Sequence, residues 1–293
     1  VTPPDEPVAP GRGATGEEGV SAPGRLRVAR VLADRGLRPD TDLGQHFLLD
    51  ENLVDLAVRE ARLGPEDVVL EVGAGLGVLT VALARAARTV HAVEVDRRLL
   101  PALEEAVAGA GDVRLHPADA MRLALEALDP PPTRLVANLP YAIATPLVLE
   151  SLWRLPGVAR WTVMVQREVA DRWLAPPGTR LYGVPSVLVA LTARPRSRRS
   201  VGREVFLPRP RVDSALLTLE RTAPGPAPAT RALVRAGFAA RRKTLANALA
   251  GAGADKARVA AALAARGLPA SARPETIRPE VWPGLAEELD WPA

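Results

Sequence analysis

Between residues 68 and 166, short apolar runs alternate with longer segments whose apolar positions recur at helical spacing. The runs are VVLEV (68–72), VHAVEV (90–95), VRLH (113–116), RLVAN (134–138) and WTVMVQ (161–166). Strands apolar on both faces and separated by helices predict a parallel sheet covered on both sides. The fold class expected is therefore α/β, a doubly wound, Rossmann-like domain. One further strand is expected around residues 213–220 (DSALLTLE), antiparallel at the end of the sheet.

Before the sheet, Leu26, Val28, Val31 and Leu32 suit a helix from Arg25 to Arg35, closed by Gly36. Asp50 reads as the N-cap of a second helix, since Leu53, Val54, Ala57, Val58 and Ala61 keep helical spacing until Gly64-Pro65. After it, RTAPGPAPAT (221–230) reads as a linker, because Pro and Gly break both periodicities. Segments 231–250, 255–267 and 279–289 then read as helices. Three regions follow: a disordered tail over 1–24, rich in Pro, Gly and acidic residues; an α/β domain over 25–222; and a small all-helical C-terminal domain over 223–293.

Composition narrows the function classes. The 293 residues contain no cysteine, so disulfides, thiolate-bound zinc and a Cys nucleophile are excluded. No run approaches the roughly 18 to 20 apolar residues of a membrane span, and the first residues do not read as a signal peptide, so a soluble cytoplasmic protein is expected. Net charge is +4, with lysine only at Lys243 and Lys256. The dominance of arginine, with a pI near 10.2, fits a phosphate-bearing partner such as RNA; it fits a genome-wide codon bias equally well. Aromatic residues are scarce, with Phe only at 47, 206 and 238 and Tyr only at 141 and 182, so each ring is a candidate for a specific contact.

The candidate chemistry lies at the ends of the predicted strands. The first runs from Glu71-Val72 into Gly73-Ala74-Gly75-Leu76-Gly77, where glycines let a ligand approach the backbone. A nicotinamide fingerprint would place its third glycine at Val78; the GxGxG spacing here suits S-adenosylmethionine, which has no pyrophosphate. Glu94, at the tip of the next strand, is placed to accept from both ribose hydroxyls. Asp119, after the third, can accept from the cofactor's adenine amine. The fourth strand ends in Asn138-Leu139-Pro140-Tyr141. An adenine amine is a poor nucleophile because its lone pair is delocalised; acceptors that favour its tetrahedral form release that pair. The Asn138 side-chain carbonyl and the Leu139 backbone carbonyl can each take one N–H, Pro140 fixes the turn and Tyr141 can stack on the base. No metal is implied, and His91 and His116, in and after strands, read as structural.

These residues resemble the KsgA family of small-subunit rRNA adenine dimethyltransferases. The resemblance covers about residues 41–250 and is carried by LGQHFLLD (43–50), LEVGAGLG (70–77), VEVD (93–96), DA (119–120), NLPY (138–141), MVQREVADR (164–172), PPGTRLYG (176–183), FLPRPRVDS (206–214) and FAARRKTLANAL (238–249). It implies S-adenosyl-L-methionine as cofactor, held through His46, Leu48, Gly73, Gly75, Glu94, Asp119 and Asn138. It also implies a flipped adenine held by Asn138, Leu139, Pro140, Tyr141 and Phe206, sandwiched between the Tyr141 and Phe206 rings. The substrate implied is a pair of adjacent adenines in the 3′-terminal hairpin of 16S rRNA, dimethylated at N6 during small-subunit biogenesis by a monomeric enzyme. Position 46 is His where many relatives have Asn, and Ala142 stands where NLPYN is common.

RNA contacts are expected from arginines between 194 and 211, Arg209 and Arg211 among them, and from Arg241, Arg242 and Lys243. Two alternatives stay open. One is the related macrolide-resistance methyltransferases acting on 23S rRNA, disfavoured by PPGTRLYG and FAARRKTLANAL. The other is a non-catalytic RNA-binding factor on the same fold, against which the intact glycine loop and NLPY argue.

Overall fold

The structure, a computed structural model, describes residues 22–240 and 242–293. The expected disordered tail lies outside the described residues up to position 21. The first helix, α1 (Ala22–Asp34), begins at Ala22, three residues before the expected start. A two-residue strand β1 (Phe47–Leu48) and helix α2 (Glu51–Ala61) follow. Asp50 caps α2 as expected, its carboxylate accepting from the amides of Asn52 and Leu53.

The α/β body is then laid down in order: β2 (Val68–Val72), α3 (Val78–Ala84), β3 (Thr89–Glu94), α4 (Leu100–Val107), β4 (Val113–Pro117), β5 (Arg134–Asn138), α5 (Tyr141–Arg154), β6 (Arg160–Gln166), α6 (Arg167–Trp173), α7 (Val184–Thr192), β7 (Ala193–Val201), β8 (Phe206–Leu207) and β9 (Ser214–Arg221). Seven strands form one sheet in the order β4-β3-β2-β5-β6-β9-β7, and β1 pairs with β8 apart from it. Every neighbour from β4 to β6 is parallel; β9 runs antiparallel to both β6 and β7. The strand order reverses between β2 and β5, which opens a crevice at their carboxyl ends.

Alternation along the strands sends side chains to opposite faces. Val69, Val90, Ala92 and Val136 pack under α2 and α3, whereas Leu70, Val93, Leu135, Ala137 and Val163 pack under α5, α7 and the helices that follow. Those helices are α8 (Pro228–Phe238), α9 (Leu245–Ala250), α10 (Lys256–Ala264) and α11 (Val281–Glu288). The helix expected over 231–250 is thus broken, with Thr244 capping the second part through the Asn247 amide. No helix among the described residues is long and apolar enough to cross a membrane.

Of the seven strands of the main sheet, one went unread in the sequence. ARPRSRRSV forms β7, the outer strand beside β9, so β9 lies inside the sheet and not at its end as expected. Edge strands tolerate such charge because one side of their ladder faces solvent.

Candidate active site

A cleft of about 250 Å³ opens at the β2/β5 switch point, lined by the glycine loop, the tips of β3, β4 and β5, and the segment 42–48. Gly73, Gly75 and Gly77 have φ of +81°, +58° and +79°, a conformation that side chains rarely adopt. Space is closed to them as well: a Cβ on Gly73 would meet Pro140 Cδ at 3.1 Å, and one on Gly75 would meet the Phe47 ring at 3.2 Å. The amides of Gly73 and Ala74 both donate to the Val93 carbonyl, at 2.9 and 3.2 Å. Glu94 locks the loop from the side, its two carboxylate oxygens accepting from the Gly75 and Asp96 amides, each at 2.8 Å. Burial raises the Glu94 pKa, and these two amides pull against that rise. Each Glu94 oxygen keeps a second acceptor position for a ligand hydroxyl. Asp119 is half-exposed at the end of β4 and accepts from the Met121 amide at 2.9 Å.

Across the cleft, the Asn138 amide nitrogen donates to the His46 carbonyl at 2.9 Å. A carbonyl can only accept, so this bond fixes the side chain's orientation and leaves the Asn138 Oδ1 as a bare acceptor. The Leu139 carbonyl has no hydrogen-bond donor among the described residues. The Tyr141 hydroxyl is bonded to Ser214 Oγ at 2.8 Å, which anchors the ring from the far end. The His46 ring sits 5.5 Å from the Tyr141 ring, tilted by 33°, and its Nδ1 donates to the Pro208 carbonyl at 2.7 Å. Two fixed acceptors beside two held rings can orient a planar base bearing an exocyclic amine.

The ribosomal RNA adenine dimethylase family model matches residues 37–281, most of the chain. The chain belongs to the ribosomal RNA adenine dimethylase family. It is 48% identical over 273 residues to the "Ribosomal RNA small subunit methyltransferase A" of Kineococcus radiotolerans, covering 89% of this chain and 90% of that protein. Among solved structures, the dimethyladenosine transferase of Plasmodium falciparum superposes with a TM-score of 0.71 at 23% identity, over 84% of this chain and 98% of that one, a likeness of fold. The 23S rRNA methyltransferase ErmE gives a TM-score of 0.62 at 29% identity, over 83% and 99%.

As a member of this family the chain is an S-adenosylmethionine-dependent rRNA methyltransferase. The cleft suits that cofactor. Asp42, Glu71, Glu94 and Asp119 line it and, among the described residues, no lysine or arginine does, an arrangement matched to a ligand with net positive charge and no phosphate. No group of three or more His, Asp or Glu among the described residues is placed to hold a metal.

Of the dimethylase residues expected from the sequence, His46, Leu48, Gly73, Gly75, Glu94, Asp119, Asn138, Leu139, Pro140 and Tyr141 all line this one cleft. Phe206 does not. It is 1% exposed and packs beneath Leu48, Val201 and Val205, because β8 pairs with β1 so that position 206 faces inward. The ring nearest Tyr141 is that of His46, which packs beside it with no base-wide gap between the two.

The arginine-rich stretch also divides. On β7, Arg196 pairs with Glu220, Arg198 with Asp171 and Arg199 with Glu60, so much of its charge is matched within the protein. Arg209, Arg211, Arg242 and Lys243 are exposed and form no ion pair among the described residues; Arg241 lies outside them. Sequence reasoning assigned no role to Glu71 or to the Gln45–Asp96–Arg98 cluster. Gln45 donates to Asp96 at 2.7 Å, and the Arg98 guanidinium holds the Asp96 carboxyl down at about 2. This ties the segment carrying His46 to the tip of β3. The Gln45 of LGQHFLLD was the available signal.

Proposed function

We propose that this chain transfers methyl groups from S-adenosylmethionine to N6 of two adjacent adenines in the 3′-terminal hairpin of 16S rRNA, acting as a monomer on small subunits or their precursors in the cytoplasm. The observation that carries the reading is the hydrogen bond from Asn138 to the His46 carbonyl, which leaves the Asn138 Oδ1 free beside the glycine loop. When bound, the cofactor supplies an electrophilic methyl group on a positively charged sulfur. Glu94 and Asp119 are placed to hold its ribose hydroxyls and adenine amine. Asn138 Oδ1 and the Leu139 carbonyl each accept one N–H of the target amine, which turns its lone pair toward the methyl group. Orientation and fixed dipoles are the main sources of rate here.

Tyr141 stacks on the flipped base in this reading, and Arg209, Arg211, Arg242 and Lys243, together with Arg241, grip the phosphates around it. A small-subunit substrate is supported over a 23S adenine by the identities, 48% to a protein named for the small subunit against 29% to ErmE. The test is transfer of labelled methyl groups to purified immature subunits from an unmethylated strain, followed by mass mapping of the rRNA. Label confined to two adjacent adenines of the 16S hairpin is expected; label in 23S rRNA would overturn the assignment.

A further inference from the structure

The segment 42–46 lines the cleft and is held from two sides. On the side of β8, Phe47 and Leu48 pair with Leu207 and Phe206, and the His46 ring donates to the Pro208 carbonyl. On the side of β3, Gln45 carries the tie. Its Nε2 donates to Asp96 Oδ2 and its Oε1 accepts from the Asp40 amide, each at 2.7 Å. A backbone amide can only donate, so this bond decides which end of the Gln45 side chain faces Asp96. Between the two anchorages stands the His46 carbonyl, the group that fixes Asn138.

Asp96 is a firm anchor. It is 6% exposed, and its oxygens take the Arg98 Nε and Nη2 at 2.8 and 2.7 Å and the Arg98 amide at 3.0 Å. Its own amide donates to Glu94 Oε1 at 2.8 Å. Arg98 keeps the Asp96 carboxyl ionised, with a pKa of about 2, so the bond from Gln45 is charge-assisted. Hydrogen bonds therefore run from Glu94, on the cofactor side, through Asp96 to Gln45; one peptide link further on, the His46 carbonyl meets Asn138.

We propose that Gln45, braced by Asp96, is a positioning residue for methyl transfer: it sets the His46 carbonyl where Asn138 must be held for its Oδ1 to face the target amine. The proposal rests on the reading of Asn138 Oδ1 as an acceptor for that amine. Without the Gln45 bond the pairing of β1 with β8 still holds the segment, and Arg98 still reaches Asp40 at 3.5 Å, so the fold persists. The His46 carbonyl is then steadied from one side only. Asn138 loses its fixed partner, and rotation of its amide puts a donor where the acceptor stood. A misplacement of about 1 Å at a reacting centre costs on the order of 100-fold in rate.

The test is single-turnover methyl transfer to immature small subunits, with cofactor and RNA saturating, beside calorimetric titration with S-adenosylmethionine. Gln45→Ala and Gln45→Glu are compared, each alone and combined with Asn138→Ala. Gln45→Glu keeps the side chain's length but sets a carboxylate against that of Asp96, so it breaks the same bond without opening a void. Each single variant should transfer methyl groups about 10- to 100-fold more slowly, bind the cofactor within about threefold of the unmutated protein, and melt within a few degrees of it. In the Asn138→Ala background either change should cost less than about twofold more, because the group it positions is gone. Unchanged rates in the Gln45 variants would overturn the proposal, as would the same loss with and without Asn138. So would a loss explained by weaker cofactor binding, or variants that fail to fold, which would make Gln45 a prop of the fold. Full turnover in Asn138→Ala alone would instead overturn the reading of Asn138, and it shows without any change at Gln45.

Discussion

Asn138 has one polar end occupied and one bare, and that asymmetry predicts how it fails. Asn138→Ala removes the acceptor but also the tie to the His46 carbonyl. Methyl transfer should drop by about 100-fold or more, the usual scale for losing one fixed dipole at a reacting centre, while the melting temperature changes little. Retained turnover would remove Asn138 from the chemistry. Glu94→Ala should act in the opposite order, weakening cofactor binding first, because its carboxylate also holds the Gly75 amide. Binding titrations of the two variants separate these outcomes.

Glu71 gives a pH signature at the same scale. Its folded pKa of about 8 lies above the ordinary value of 4.5. Its contribution is therefore most favourable below pH 4.5 and is lost as pH rises toward 8. At pH 7 the group costs the ligand-free fold on the order of 3 kcal/mol. Glu71→Gln should accordingly raise the melting temperature of ligand-free protein at pH 7 to 8, and make no such gain at pH 4; chemical denaturation at both pH values checks this. The strand and the glycines around Glu71 were legible in the sequence because periodicity and φ > 0 residues are local signals. That its carboxyl is buried beside Glu94, with the Thr80 hydroxyl against it, was not, since it depends on what the neighbouring elements offer. Phe206 shows the same limit, for a two-residue strand has no alternation from which its inward face can be read.

Among the elements, β7 teaches where local pattern misleads. Its sequence, ARPRSRRSV, carries no apolar alternation, and its arginines suggested a phosphate-binding stretch. Pairing with β9 brings them beside Glu220, and Asp171 and Glu60 take the charges of Arg198 and Arg199. Such exposed pairs contribute little to stability, about 0 to 1 kcal/mol each, but they lower the net charge the strand shows to RNA. Replacing Arg196, Arg198 and Arg199 together by glutamine should leave the salt dependence of RNA binding nearly unchanged. Replacing Arg241, Arg242 and Lys243 in the same way should flatten the log–log slope by about 2 to 3. Filter binding of a 16S fragment between 50 and 200 mM salt, a range set by the size of that effect, measures both. Equal slopes for the two triple variants would mean that ion pairing on β7 does not decide which arginines meet RNA.

For the whole molecule, the sequence suggested a helical C-terminal unit after a Pro/Gly linker, and the helices of that unit pack against the sheet domain. One apolar cluster runs without a break from Leu70 and Trp161 in the strands, through Val187 and Leu188 in α7, to Leu233, Leu263 and Trp282 in the final helices. Polar ties cross the same boundary: the Tyr182 hydroxyl donates to the Ile277 carbonyl at 2.7 Å, and the Gly178 amide to the Glu275 carbonyl at 2.7 Å. Phe238 stacks on Trp282 at 5.8 Å and meets the edge of Tyr182 at 5.9 Å. Gly237 is needed where α8 crosses α11, since a Cβ there would lie 2.7 Å from the Trp282 ring. A shared core of this kind cannot lose one half and keep the other folded, so the full chain should unfold in a single cooperative step. Two single-tryptophan proteins, one keeping Trp161 in β6 and one keeping Trp282 in α11, would report the two halves separately. Coincident urea transitions are expected, and Gly237→Ala should shift both midpoints together by a destabilisation of about 1 to 3 kcal/mol. A Trp282 signal that unfolds first, with Trp161 unmoved, would show that the helices are an independent unit held on by the linker alone.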